Sequence, residues 1–329
     1  MRTPSNRLYT LIIVLLMFGL AAVLAGALAL GALRIPLHEV WHTLLGAQEA
    51  RMIILDMRLP RALIAALVGA CLAMSGALLQ TVTRNGLVSP DIVGISAGAS
   101  VGAVILILLF PASPPVLTPL FAFCGGALAA GLIYVLSWKN GVEPLRLVLV
   151  GIGITAICLA LRDAIVLKAP EEFDSALTWL VGSVWGKGAE RLNQLWPWAL
   201  LLMLAAFFNA RSINVMQFND AVSKSLGNSV ERSRLLAIAI AVGLAACAVS
   251  IAGNIGFVGL IAPHMARLLV GGHLMRILPA TALLGAILTV AADTAGRVII
   301  APSEIPAGIL TSLIGAPYFI WLLSRQRRS

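Results

Sequence analysis

Charge is what this chain of 329 residues has little of: Asp, Glu, Lys and Arg together make up 11% of it, against about 25% in an ordinary soluble domain. Acids are scarcer than bases, 14 against 23, which leaves a net charge of +9. That scarcity excludes a soluble globular domain. The bases stand singly between apolar runs and not along one helix face, which excludes a nucleic-acid partner. The phosphate-cradling pattern GxxxxGKS/T is missing too. The one Gly-Lys step, Gly186-Lys187-Gly188, has neither the glycine spacing nor the hydroxyl that would sit on Mg²⁺, so the chain cannot hydrolyse ATP alone and is not an enzyme by itself. No CxxC occurs. Cys71, Cys124, Cys158 and Cys247 all lie inside apolar runs and read as small packing residues, not disulfides or metal ligands. HExxH is absent as well; the one i, i+4 histidine pair, His38 and His42, reads as part of a solvated interfacial helix, and no metal site is expected.

What the chain has is apolar surface, 60% of its residues. Unpaired backbone is so costly in lipid that each long apolar run must be a helix. Ten such runs are present, at roughly 9–33, 61–82, 92–110, 116–138, 147–167, 192–209, 235–252, 255–272, 277–299 and 305–324. The first is long enough to span the ~30 Å hydrocarbon core and too long for a signal peptide, so an uncleaved first span is expected. The eighth is the least apolar, because it contains Pro263, His264 and Arg267. The positive-inside rule supports it. With ten spans and both termini cytoplasmic, fourteen of the 23 bases fall inside, with only Asp91, Glu143, Asp220 and Glu231 among the acids. Without the eighth span, Arg325, Arg327 and Arg328 would fall outside.

That orientation stands Arg58 and Arg61 at the outer mouth of span two, with Arg297 at the outer end of span nine. Asp293 and Arg297 are four residues apart and can pair within one helix, so Asp293 reads as a structural neutraliser more than a proton carrier. Ionisable groups near the bilayer midplane are otherwise scarce, which argues against an ion-coupled secondary transporter. No grouping of His, Asp or Glu at one depth supports a membrane-embedded enzyme. The energy source is expected in a partner.

An internal echo links "LVSPDIVG" at 87–94 with "LIAPHMAR" at 260–267, each after a small-residue-rich helix. It divides the single transmembrane domain, 1–329, into a first repeat at 61–167 and a second at 235–324. Spans 2–5 and 7–10 would then be inverted in the membrane, as is common in transporters. Between the repeats lies a polar cytoplasmic segment at 210–234. Its stretch "QFNDAVSKSLGNSVERSR" can form a short helix capped by Asn219 or Asp220 and ended by Gly227. On the outer side, "PEEFDSALTWLVGSVWGKG" at 170–188 carries Trp179 and Trp185, which suit an interfacial segment.

Four ordered stretches, "RLPRALIAALVGACLAMSGALLQTVTRNGLVSPDIVG", "GNIGFVGLIAPHMARLL", "LPATALLGAILTVAADTAGRV" and "EIPAGILTSLIGAPYFIWLL", resemble the FecCD family from about residue 50 to the C-terminus. These are permease subunits of bacterial inner-membrane ABC importers for ferric siderophores, haem and cobalamin. The resemblance implies an all-α, type II ABC importer permease fold. It implies a second permease subunit, identical or paralogous, and two cytoplasmic ATPase subunits that carry ATP and Mg²⁺. It also implies a periplasmic substrate-binding protein, and no cofactor held by this chain. Family frequency favours a ferric siderophore as cargo, with cobalamin or haem as alternatives.

Residue by residue, the resemblance assigns Arg58, Arg61 and Arg297 to docking carboxylates of the binding protein. Guanidinium groups suit that task through bidentate, charge-assisted bonds and steering; arginines snorkelling at helix ends are the alternative. "RNGLVSP" resembles the family's NPLA-type gate turn, which places Asn85 and Leu87 at a cytoplasmic gate, with Gly86 where a proline is usual. The family's second gate element, a Thr-Ser pair, matches Pro144 and Leu145. For all four, ordinary turn residues are the alternative. Contact with the ATPase falls to Asp220, Ala221, Ser225, Leu226 and Gly227.

Overall fold

The computed structural model describes residues 5–48, 50–91, 93–114, 117–138, 144–168, 180–217 and 229–326. Among them the regular structure is helical. α1 (Asn6–Ala29) opens at Ser5, whose hydroxyl oxygen accepts from the Leu8 N–H. α2 (Leu37–Leu44) is a short helix that carries the expected histidine pair, burying Val40 and Thr43 with His38 and His42 exposed. No His, Cys, Asp and Glu grouping able to hold a metal occurs among the described residues.

α3 (Leu59–Thr83) is entered through wide turns over Met52–Arg58, and α4 (Ile95–Val104) continues in wide turns to Leu109. Then follow α5 (Thr118–Leu136), α6 (Pro144–Val166), α7 (Ala189–Asn214), α8 (Val230–Ala252), α9 (Val258–Val270), α10 (Leu274–Ile299) and α11 (Ala307–Gln326). Apart from α2, these match the ten apolar runs in order. Seven are long and apolar enough to cross a membrane, whereas α4, α9 and the apolar part of α11 are shorter.

Burial sorts the helices. The apolar windows of α3 and α8 are each 83% buried, against 11% for α1 and α6, so α3 and α8 form the axis and the others surround it. A helix apolar on every side belongs at the centre of a bundle. The two axial helices are joined by Ser75, whose hydroxyl donates to the Ala241 carbonyl at 2.6 Å. Around them glycines let backbones touch, Gly69 against Gly285 and Gly76 against Gly259, which is how helices pack where lipid offers no hydrophobic drive.

The short helices have a physical cause. After α3 the chain turns at Arg84 in the left-handed region (φ 51°) and runs back into the bundle, burying Val88, Ser89 and Val93 before Gly94 (φ 87°) starts α4. After α8 it turns at Gly253 (φ 70°) and Phe257 (φ 66°) before α9. The two turns meet, because the Phe257 N–H bonds the Asp91 carboxylate, and next to it a Cβ on Gly259 at the start of α9 would stand 2.8 Å from Pro90 Cδ. The stretches from α3 to α4 and from α8 to α9 thus share one order, a long buried helix, an inward turn and a short helix. The string correspondence expected from sequence does not hold in detail: 87–94 precedes α4, whereas 260–267 lies inside α9. Asp91, expected in a cytoplasmic loop, instead lies within the bundle against Phe257.

Pro263 lies inside α9 and cannot donate to the carbonyl four residues earlier. That carbonyl, Gly259 O, takes the Gln80 side-chain amide at 3.4 Å, and the Gln80 oxygen takes a hydrogen bond from Arg267. Arg267 and the carbonyl freed by Pro263 are therefore satisfied within the protein, as a span requires.

Candidate functional site

One end of the bundle gathers the C-terminus of α1, the start of α3, the end of α10 and the turn into α11. α1 has no basic residue in its last turn, so its final carbonyls and the negative end of its dipole need partners from elsewhere. Arg58 supplies them: Nη1 donates to Leu28 O at 2.6 Å and Ala29 O at 3.1 Å, and Nη2 to Leu33 O at 2.5 Å. Arg297 adds a bond to Ala27 O at 3.2 Å.

Arg61 faces carboxylates. It grips Asp293 in a fork, with Nη2 at 2.8 Å from Oδ1 and Nε at 3.1 Å from Oδ2, and also Glu304, with Nη2 at 2.7 Å from Oε2 and Nη1 at 3.2 Å from Oε1. Arg297 Nε lies 3.3 Å from Asp293 Oδ2, an ion pair by distance but without hydrogen-bond geometry. The i, i+4 pair expected from sequence is present, and Arg61 is its third member.

The three arginines expected at a docking surface are therefore brought together, but not as open groups. Arg58, Arg61 and Arg297 side chains are largely buried, and Glu304, 28% exposed, is the most accessible member of the cluster. Sequence reasoning missed Glu304 although it heads the quoted stretch "EIPAG". It also missed the capping role of Arg58, for which the signal was a helix end with no cation of its own. Replacing Arg58 by alanine is expected to strip donors from three carbonyls and cost about 1.5–3 kcal/mol. Lysine should rescue little, because one ammonium cannot reproduce the planar fork. The checks are a lower thermal midpoint of the purified protein and faster proteolysis within 30–36.

Where the two inward turns meet, a cavity of about 640 Å³ opens, with Ser89, Asp91, Asn254 and Ser312 among its polar lining and Phe257 and Phe319 among its apolar walls. The Asp91 carboxylate accepts from the Ser96 hydroxyl at 2.6 Å and from the Phe257 N–H.

Of the expected gate residues, Asn85 is exposed at the α3–α4 turn, where its Oδ1 accepts from the Leu87 N–H at 3.0 Å. Pro144 and Leu145 start α6, and Leu145 is exposed. Further along that helix Gly151 packs on Val93, which sets Leu145 about 9 Å down α6 from the inward turn, at 1.5 Å per residue. The expected ATPase contacts Asp220, Ala221, Ser225, Leu226 and Gly227 lie outside the described residues, as does Trp179. Trp185 is exposed. On either side of the expected coupling segment, Gln217 donates to Gly272 O at 3.0 Å and Arg234 pairs with Glu231 one turn away in α8 at 3.2 Å.

Comparison with known proteins adds the last observation. Residues 8–325 match the model of the FecCD transport family. The chain is 44% identical over 303 residues to the Fe(3+)-citrate import system permease protein YfmE of Bacillus subtilis (strain 168), covering 92% of this chain and 91% of that one. It is 40% identical to the iron(3+)-hydroxamate import system permease protein FhuG of the same organism, covering 99% of each. Among solved structures it resembles a metal-chelate type ABC transporter in an inward-facing conformation, with a TM-score of 0.85 and 30% identity, over 96% of this chain and 99% of that one.

Proposed function

The chain belongs to the FecCD transport family, and on that premise we propose that it is the permease subunit of an ATP-driven importer that moves a ferric siderophore from periplasm to cytoplasm. The observation that carries this reading is near-full-length similarity, at about 40% identity, to permeases named for ferric citrate and ferric hydroxamate. The chain sits in the bacterial inner membrane with both termini cytoplasmic, paired with a second permease, two ATPase subunits and a periplasmic binding protein.

Its task is conformational. It has no covalent step to perform, and nucleotide and binding protein drive transport by favouring different states of the same bundle. The inward turns at 84–94 and 253–257 suit that task, since they start α4 and α9 inside the bundle and leave a cavity between them. The 218–228 segment is the coupling element toward the ATPase.

Docking involves the cluster at the α1–α3–α10 end, and its geometry singles out Arg61. Arg58 is committed to α1, whereas Arg61 holds the partly exposed Glu304. A carboxylate of the binding protein can exchange with that glutamate at small cost, because the swap preserves both charge and hydrogen bonds.

The test is uptake of radiolabelled ferric chelates into cells or proteoliposomes carrying the whole importer. Uptake should stop when ATP is removed and survive an uncoupler. Uptake abolished by the uncoupler with ATP present overturns the reading in favour of ion coupling.

A further inference from the structure

We propose that the cavity between the two inward turns is a cargo-recognition subsite for a cationic, hydrogen-bond-donating group of the ammonium class, held by Asp91. This deepens the reading above and rests on it.

Two carboxylates among the described residues, Asp293 buried and Asp91 half-buried, are treated very differently. Asp293 is enclosed by Arg61 and Arg297. Asp91, within the bundle, pairs with no Lys, Arg or His among the described residues, and none of those residue types lines its cavity. Its bonds are neutral ones, from the Ser96 hydroxyl and the Phe257 N–H. An ionised carboxylate offers about four lone-pair sites, so two donors leave capacity unused. An ionisable side chain at membrane depth with no counter-charge is expensive and marks function by default.

The surroundings add acceptors and no cation. Asn254 lines the same cavity, and its Oδ1 is buried with no donor. Gly256 keeps the approach open: a Cβ there would stand 3.9 Å from Asp91 Oδ2 and 3.4 Å from Ser312 Oγ, so both oxygens border one space that a side chain would fill. Phe257, Leu260 and Phe319 supply apolar walls. Low polarity around a lone carboxylate strengthens its attraction for a cation that fits. A group bringing positive charge and N–H donors therefore completes the site, while a further carboxylate on the cargo is repelled.

The experiment uses the complete importer in proteoliposomes and two ferric trihydroxamate probes, one ending in a free ammonium and the other in its N-acetyl derivative. One binding protein delivers both, so a change in their uptake ratio between variants reports on the permease. Asp91→Asn is expected to lower the ammonium-to-acetyl ratio at least tenfold. Asn254→Asp, which adds a second carboxylate at nearly unchanged shape, is expected to raise it at least threefold and decides the matter should Asp91→Asn fail to assemble. A ratio within twofold of wild type, whether rates fall or not, assigns Asp91 to holding the two turns together and overturns the subsite. Wild-type protein that imports another ferric chelate but neither probe overturns the subsite alone, whereas import of no ferric chelate with ATP present overturns the importer reading and the subsite with it.

Discussion

Replacing Asp293 by alanine is expected to destabilise the protein by about 3–5 kcal/mol, the cost of breaking a buried pair from one side. The carboxylate is 3% exposed and stands between Arg61 and Arg297, whose side chains are 12% and 5% exposed. Without it Arg61 keeps Glu304, but Arg297 keeps only the Ala27 carbonyl and Thr294 Oγ1, and two guanidinium groups face each other with no anion between them. The consequence spreads to α1, whose C-terminal carbonyls depend on Arg297 as well as Arg58. A thermal midpoint lower by roughly 10 °C in detergent is expected, with looser protease protection at 27–33. Removing Arg297 at the same time, as Asp293→Ala with Arg297→Leu, should recover much of the loss, since the unpaired charge then goes too. A single variant within 1 kcal/mol of wild type would show that the cluster contributes little to holding this end of the bundle.

The ten apolar helices were legible because lipid leaves the backbone one solution, a helix for every long apolar run, although only seven of them are long and apolar enough to cross a membrane. That logic counts apolarity and is blind to whether an apolar residue lies in a helix or in a buried turn. Val88 and Val93 are apolar and buried yet belong to the inward turn before α4, so the third span was drawn three residues too early. The same blindness put Asp91 in the cytoplasm, since a charged residue between two runs looks like a loop residue. Only the opposing turn, 166 positions away at Phe257, reveals what holds it within the bundle.

The charged cluster divides along the same line. Asp293 and Arg297 were legible as a pair because helix geometry makes residues four apart neighbours. Arg61 joins them from 232 residues away, a closure that the helix period does not encode. For Arg58 the chemistry was legible, a fork of donors at a helix mouth, but not the recipient. Carboxylates of a partner and orphan carbonyls of a helix end satisfy a guanidinium equally well, and here the carbonyls of α1 occupy it. The small residues of α3 announced close packing; which backbones they meet depends on where α9 and α10 lie.

Gly76 carries the other large expectation. A Cβ built there falls well inside contact with the Gly259 backbone, its oxygen, carbonyl carbon and Cα alike. None of these can rotate away as a side-chain tip could, so Gly76→Ala must push α9 off α3. That shift acts on three linked contacts: the Gln80 amide on Gly259 O, Arg267 on Gln80, and the Phe257 N–H on Asp91. Overpacking a well-filled interior costs about 1–3 kcal/mol and more where the backbone must move; Pro263 leaves the Gly259 carbonyl with no helical donor once Gln80 is displaced. The expected result is a drop of tenfold or more in folded, membrane-extracted protein, read by size-exclusion chromatography of a fluorescent fusion. Gly131→Ala on α5, where an added Cβ meets nothing within 4 Å, should leave that yield unchanged or slightly higher, since alanine is the better helix former by about 1 kcal/mol. Equal yields for the two variants would mean that α3 and α9 do not touch at this depth, and the meeting of the inward turns would fall with that contact.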